Sequence, residues 1–287
     1  MSLHLAVFAD PGRSRRDCWI AGGIWYNISK TVKMKFKFLG TGTSVGVPQI
    51  GCACRTCVST DPRDRRRRCG VYVRGENAAF LIDTPPEMRM AAIEYGINRV
   101  DAICLTHSHM DHVGGFDDVR RFNTINGGSP MRCYAMAETI EQMHRIFPYI
   151  SDRKNELGLF RPMINFVDNA EPFSIGSTTL ERLDVEHGFP CCGYLVNGRI
   201  GYISDCHELP DRTVERLKGV EVMVLNCLRE RPHPTHLNLE AALGYLERIS
   251  PRRAYLVHMC HDLSHAEWLS KLPAGIEPAY DGLELEV

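Results

Sequence analysis

The stretch "LTHSHMDHVGG", residues 105–115, constrains the chain more than any other. The apolar run "AICLT" (102–106) leads into it and reads as a strand. His107, His109, Asp111 and His112 then follow within six positions. In extended backbone, residues two apart project to the same side, so His107 and His109 address one point. Asp111 and His112 come after the chain turns and address a second point a few ångströms away. Neutral imidazoles with a carboxylate suit zinc, iron or manganese. Ligands at the end of a strand also need a rigid sheet behind them, as binding loops on a scaffold generally do.

From Met34 onwards, short β-rich runs punctuated by glycine alternate with helical stretches. Strands are expected at 35–41, 71–75, 78–83, 102–106, 178–187, 192–196, 200–205, 222–226 and 254–258. Helices are expected at 86–95, 116–122, 137–147, 211–218 and 238–249, the last with Asn238 as N-cap. This alternation implies an α/β domain whose sheet layers are covered by helices. Residues 148–166 read as a long excursion between elements. Residues 1–33 lack a clear strand or helix period and read as a weakly ordered extension or a non-native start, with Met34 an alternative start. The domain is then expected to span 34–287.

At 287 residues, 44% hydrophobic and 24% charged, the chain can bury a substantial core and is not of disordered composition. A net charge of −1 gives no overall pull towards nucleic acid or a membrane surface. No apolar run approaches the ~20 residues of a membrane-spanning helix, and "MSLHLAVFA" lacks the basic start of a secretory signal. Twelve cysteines without a disulfide-framework spacing fit metal binding and reduced buried thiols, and so a cytoplasmic location.

Three of those cysteines fall in "GCACRTC" (51–57). Cys52, Cys54 and Cys57 form a C-x-C-x2-C run suited to thiolates converging on one ion. Three thiols leave one over in any disulfide, and the closest pairs would be strained. No second cysteine pair follows, so a fourth ligand must come from a distant segment. Cys69, Cys104, Cys133, Cys191, Cys192, Cys206, Cys227 and Cys260 show no ligand spacing and read as buried small hydrophobes. Five arginines in positions 63–68, within "PRDRRRRCG", read first as a solvated loop and second as a phosphate-reading patch.

The H-x-H-x-D-H run resembles that of the metallo-β-lactamase fold hydrolases, and the resemblance extends from Met34 to the C-terminus. It implies a four-layer αββα sandwich. It also implies further ligands at later strand ends, supplied here by His187 in "LDVEHGF", Asp205 in "IGYISD" and His258 in "AYLVH". One divalent ion, Mn2+ or Zn2+, would then sit on His107, His109, His187 and Asp205. The second would sit on Asp111, His112, Asp205 and His258, with Asp205 bridging. Two ions ~3.5–4 Å apart can share a hydroxide nucleophile and clamp a phosphodiester.

Within that superfamily, "FLGTGTSVGVPQIGCACRTC", "GFDDVRRFN", "THLNLEAAL" and "HMCHDLSHAEW…YDGLELEV" resemble the phosphoribosyl 1,2-cyclic phosphate phosphodiesterases, accessory proteins of carbon–phosphorus lyase. In that group a histidine in the third segment serves the leaving group, and His236 holds the position. With Asp111 it is the candidate catalytic residue; His233 is a second candidate that the resemblance does not mark. The group also implies His261, three residues after the last catalytic ligand, as the fourth ligand of a structural zinc. Cys260 and His265 are its rivals. The implied function is hydrolysis of a small cyclic phosphate, with no membrane or nucleic-acid partner and a homodimer left open. Two alternatives carry less: RNA 3′ processing of the tRNase Z type lacks its long glycine- and lysine-rich arm here. A cofactor-biosynthesis role like that of the pyrroloquinoline quinone accessory protein goes with a degraded metal motif.

Overall fold

The computed structural model describes residues 17–20, 24–27, 34–151 and 160–287. Residues 1–33 and 34–287 form separate compact units. The first shows no strand period in its sequence, yet it contains an antiparallel hairpin of β1 (Asp17–Ile20) and β2 (Ile24–Asn27). The rest of that segment lies outside the described residues.

The larger unit contains two mixed seven-stranded sheets. The first holds β3 (Lys35–Gly40), β4 (Gly70–Arg74), β5 (Ala79–Ile82), β6 (Ala102–Cys104), β7 (Met131–Ala135) and β8 (Ile164–Asp168), with β16 (Glu284–Glu286) at its edge. The second runs from β9 (Phe173–Ile175) through β10 (Thr178–Asp184), β11 (Cys192–Val196), β12 (Ile200–Ile203), β13 (Val222–Asn226) and β14 (Arg253–Val257) to β15 (Ile276–Pro278). Strands β5 to β8 run parallel, as do β12 to β15. Strand β10 is antiparallel to β11, and β11 to β12, so β10 ends on the same edge as β12 and β14.

Period-two alternation explains the layers. On β13, Val222 and Val224 enter a core shared with Phe36, Phe80 and Tyr202, between the two sheets. Their neighbours Met223 and Leu225 face the opposite way, against Val214, Leu246 and Trp268. Those partners lie on α6 (Asp211–Leu217), α7 (Leu239–Ile249) and α8 (His265–Lys271). On α7 the buried Ala242, Leu246 and Ile249 recur at helical spacing. The other sheet does the same with Leu81, Ile103 and Cys133, which pack on Met88, Ala91, Phe122 and Met143. These come from α1 (Met88–Glu94), α3 (Arg120–Ile125) and α4 (Ala137–Ile146). The result is the four-layer αββα sandwich expected from the sequence.

The sequence misses β7, β8, β9, β15, β16 and α8. The 148–166 excursion is regular at its described ends. It opens with a helical turn, Pro148–Ser151, and ends inside β8, while 152–159 lie outside the described residues. The arginine run also differs from its first reading as a solvated loop. Arg66 is 1% exposed and donates to the carbonyls of Cys260 (2.6 Å) and Leu263 (2.9 Å). Arg63, Arg67 and Arg68 pair with Asp61, Glu94 and Glu87.

Candidate metal centre

Every candidate ligand follows the carboxyl end of a strand, where loops of α/β sheets bind ligands. His107 follows β6, His187 follows β10, Asp205 follows β12 and His258 follows β14. Hydrogen bonds between the sheets align these ends. The Cys192 N–H donates to Thr106 O at 3.0 Å, and Tyr194 Oη donates to Leu105 O at 2.7 Å. The motif then turns into α2 (Met110–Val113) and packs so closely on Pro85 that a Cβ at Gly115 would lie 2.3 Å from its carbonyl oxygen. Only glycine fits there.

Two main ligand sets result, beside a third candidate grouping of His187, Asp205 and His236, whose Nδ1 is 3.8 Å from Asp205 Oδ2. In one, His107 Nε2 and His109 Nδ1 are 3.0 Å apart and His187 completes the group. In the other, His112 Nε2 is 3.1 Å from Asp205 Oδ1 and 3.3 Å from Asp111 Oδ2. His258 Nε2 is 3.2 Å from Asp205 Oδ2, an oxygen that also lies 3.8 Å from His187 Nε2. Asp205 thus faces both sets. His112 Nε2, Asp205 Oδ1 and both ring nitrogens of His258 are buried without a hydrogen-bond partner. The lone pairs of His112 Nε2, His258 Nε2 and the Asp205 carboxylate converge instead of pairing. Ligand atoms bound at ~2.0–2.2 Å to one ion stand ~3–3.6 Å apart, so the residues fit a metal pair.

Groups behind the ligands hold them. The Nδ1 of His112 meets Asp83 Oδ2 at 2.8 Å, and Asp83 also accepts the Thr106 N–H at 2.8 Å. His187 Nδ1 donates to Thr235 O at 2.9 Å. Such partners fix ring orientation and tautomer, leaving Nε2 for the ion. Sequence reasoning missed Asp83 and Thr235. A carboxylate directly after the fully apolar strand "AFLI" was the available signal for Asp83. Both Asp83 (φ 64°) and His258 (φ 60°) adopt left-handed backbone, a strain that concentrates at functional sites.

Burial pushes the Asp205 carboxyl up, but His258 and His112 outweigh it and hold it well below the usual carboxylate range. Burial lowers His112 as well, yet Asp205, Asp83 and Asp111 raise it well above its ordinary value. His107 and His187 are lowered, chiefly by burial. His236 stands beside this centre, its ring 5.0 Å from that of His187 and 4.6 Å from that of His258. It does not cap α7, because Asn238 does so by accepting from the Ala241 N–H at 3.1 Å. Burial and His258 lower His236 to about 3, so it is neutral at pH 7. Phe189 stacks on His109 at 4.6 Å.

A separate cluster joins Cys52, Cys54 and Cys57 to His261. Their sulfurs lie 3.3, 3.4 and 3.5 Å from His261 Nδ1, close to the ~3.6 Å S–N edge of a tetrahedral zinc. The Cys57 backbone N–H lowers the Cys54 thiol to about 6, towards the ligating thiolate, while burial pushes the Cys57 thiol up to about 11. Cys260 and His265, the rival ligands, stay outside the cluster: Cys260 Sγ accepts from Asp262 N, and the His265 N–H donates to Asp64. The remaining cysteines from Cys69 to Cys260 are buried free thiols, as the sequence implied.

Two sheets meeting over such a cluster define a metal-binding hydrolase fold, and the chain belongs to the metallo-β-lactamase superfamily. The family described as Beta-lactamase superfamily domain matches residues 78–259. A crystal structure of a diphosphatase from the PhnP family is 37% identical, with a TM-score of 0.82 over 89% of this chain and 97% of that one. Zinc-bound PqqB from Methylobacterium extorquens shares the fold at a TM-score of 0.72 and 17% identity, covering 88% of this chain and all of that one (100%). An octanoyltransferase of Porphyromonas gingivalis is 34% identical over 255 residues, 88% of this chain and 51% of that protein. The chain therefore spans about half the length of this curated relative. Among the described residues, no helix is long and apolar enough to cross a membrane.

Proposed function

We propose that the chain is a dinuclear metal-dependent phosphodiesterase that hydrolyses a small phosphoester, with a ribosyl 1,2-cyclic phosphate favoured by its sequence. The observation that carries this reading is Asp205, whose carboxylate stands between two ligand sets, with its own Oδ1, His112 Nε2 and His258 Nε2 buried without a hydrogen-bond partner. His107, His109, Asp111, His112, His187, Asp205 and His258 would hold divalent ions there, which would supply Lewis-acid activation of water and charge neutralisation at phosphoryl oxygens. The nitrogen and oxygen donors accept manganese or zinc.

The chain's own residues prepare that chemistry. Asp83 and Thr235 orient His112 and His187, so the ligands need little reorganisation. Asn226 Oδ1 accepts the Leu237 N–H at 2.9 Å, which turns its amide nitrogen towards His236 Nδ1 at 3.5 Å. The proton of neutral His236 then sits on Nε2, where it can donate to a phosphoryl or leaving-group oxygen. His236 therefore works by orienting through a hydrogen bond.

A diphosphate ester is the second reading, because the 37% identical structure is described as a diphosphatase. The test is a panel of phosphoesters. Metal-loaded protein should cleave bis(4-nitrophenyl) phosphate and spare phosphomonoesters and β-lactams. Full activity after chelation would sink the dinuclear reading.

A further inference from the structure

The loop between β13 and α7 carries a histidine that the ligand sets leave out. His233 stands between Pro232 and Pro234, whose rings fix the local backbone. Its Nδ1 accepts the Thr235 N–H at 3.3 Å and lies 3.3 Å from Thr235 Oγ1. A backbone N–H can only donate, so the neutral ring carries its proton on Nε2. Arg229 closes the same loop, donating to the carbonyls of Arg231 (3.4 Å) and Pro232 (3.2 Å). Thr235 also supplies the carbonyl that orients His187, so one residue positions both a candidate ligand and His233.

The His233 ring lies 5.1 Å from that of His236, which in turn is 5.0 Å from that of His187. It is therefore one ring further from the ligand sets than His236, and it is only partly buried. A part-exposed histidine on a surface loop ordinarily keeps several rotamers. This one is fixed through Nδ1 by its neighbour and by flanking prolines, and it presents Nε2–H as a donor. Preorganising a donor at that cost in order makes sense where it meets a ligand.

We propose that His233 is a specificity-determining residue whose Nε2–H, with the Arg229 guanidinium beside it, binds a second phosphoryl group of the substrate. This rests on the phosphodiesterase reading and deepens its second form, the diphosphate ester: a diphosphate diester reaches the outer position, whereas a monophosphate diester does not. The Arg229 hydrogen bond to Pro232 O brings that positive charge next to the residue preceding His233.

The test compares wild type, His233→Ala and His233→Gln in the full, metal-loaded chain. ADP-ribose serves as the diphosphate probe and bis(4-nitrophenyl) phosphate as the monophosphate probe. The ratio of kcat/KM for the two should fall about tenfold in His233→Ala, the size of one charge-assisted hydrogen bond, through KM rather than kcat. The Gln variant, which keeps an N–H donor, should recover part of it. A binding arm by calorimetry uses inorganic pyrophosphate and orthophosphate, and the alanine variant should lose affinity selectively for pyrophosphate. An unchanged ratio, or equal weakening of both anions, would overturn the proposal. If wild type cleaves neither ester, the phosphodiesterase reading falls, and the calorimetric arm still decides the subsite.

Discussion

His112, on the short helix after β6, and His258, just past β14, reach their cluster from different sheets, with Asp83 and the inter-sheet core holding them from behind. Cys52, Cys54 and Cys57 lie instead on a turn-rich loop and meet a histidine about two hundred residues later, Cys52 and His261 being separated by 209 positions. The first cluster is shaped by the fold, so an ion fills a place already made. The second closes a loop between distant segments, so an ion bound there would itself be part of the fold, as in structural zinc sites. Arg66 reinforces the second region by binding the carbonyls of Cys260 and Leu263 on either side of His261. Only three positions separate His258 from His261, so the clip also steadies the last ligand of the centre. The comparison separates chemistry from stability, and substitutions should divide along that line.

The largest effect should come from Asp205→Ala. Loss of the shared carboxylate should lower kcat by at least ~10³-fold and release both ions of the centre, measured by steady-state kinetics with metal analysis. Melting should move little. His261→Ala should do the reverse, lowering the melting temperature by roughly 5–10 °C while turnover falls far less. Equal effects of the two variants on melting would erase the distinction. Asp83→Asn should weaken metal binding about 10–100-fold, read by titration against a competing chelator. His236→Ala should cost about 10–100-fold in kcat on both good and poor leaving groups. A loss that vanished on a nitrophenolate would make His236 a proton donor instead.

The smallest effect concerns Asp281, which accepts from Thr41 Oγ1 (2.9 Å) and the Arg67 N–H (2.8 Å). Burial pushes its carboxyl up to about 7 from the ordinary 3.8. Below the ordinary value both folded and unfolded chains are protonated. Between the two values the unfolded chain ionises while the folded one stays neutral, so stability falls as pH rises and levels off above about 7. Denaturation of wild type should show that slope, and Asp281→Asn should flatten it.

The fold and the centre were legible because both depend on short local signals. Strands such as "CGYLV" and "VMVLN" are apolar on both faces, as strands buried between layers must be, and their bounds match the observed Cys192–Val196 and Val222–Asn226. The ligands stand at the ends of such strands. What stayed hidden is set by tertiary context. Strand β8, "INFVD", is only partly buried and carries little apolar signal. Arg66 looks like its four neighbours in sequence, and only the closure of the 260–263 loop over it makes it a buried donor. Thr235 acts through its carbonyl, which no side-chain pattern reveals.

The most direct test is the metal content of freshly purified, reduced protein by native mass spectrometry. Wild type should carry three ions per chain, Asp205→Ala one, and a Cys52→Ser/Cys57→Ser double variant two. A wild-type chain that binds no ion through Cys52, Cys54, Cys57 and His261, or an Asp205→Ala chain that retains all three, would contradict this reading.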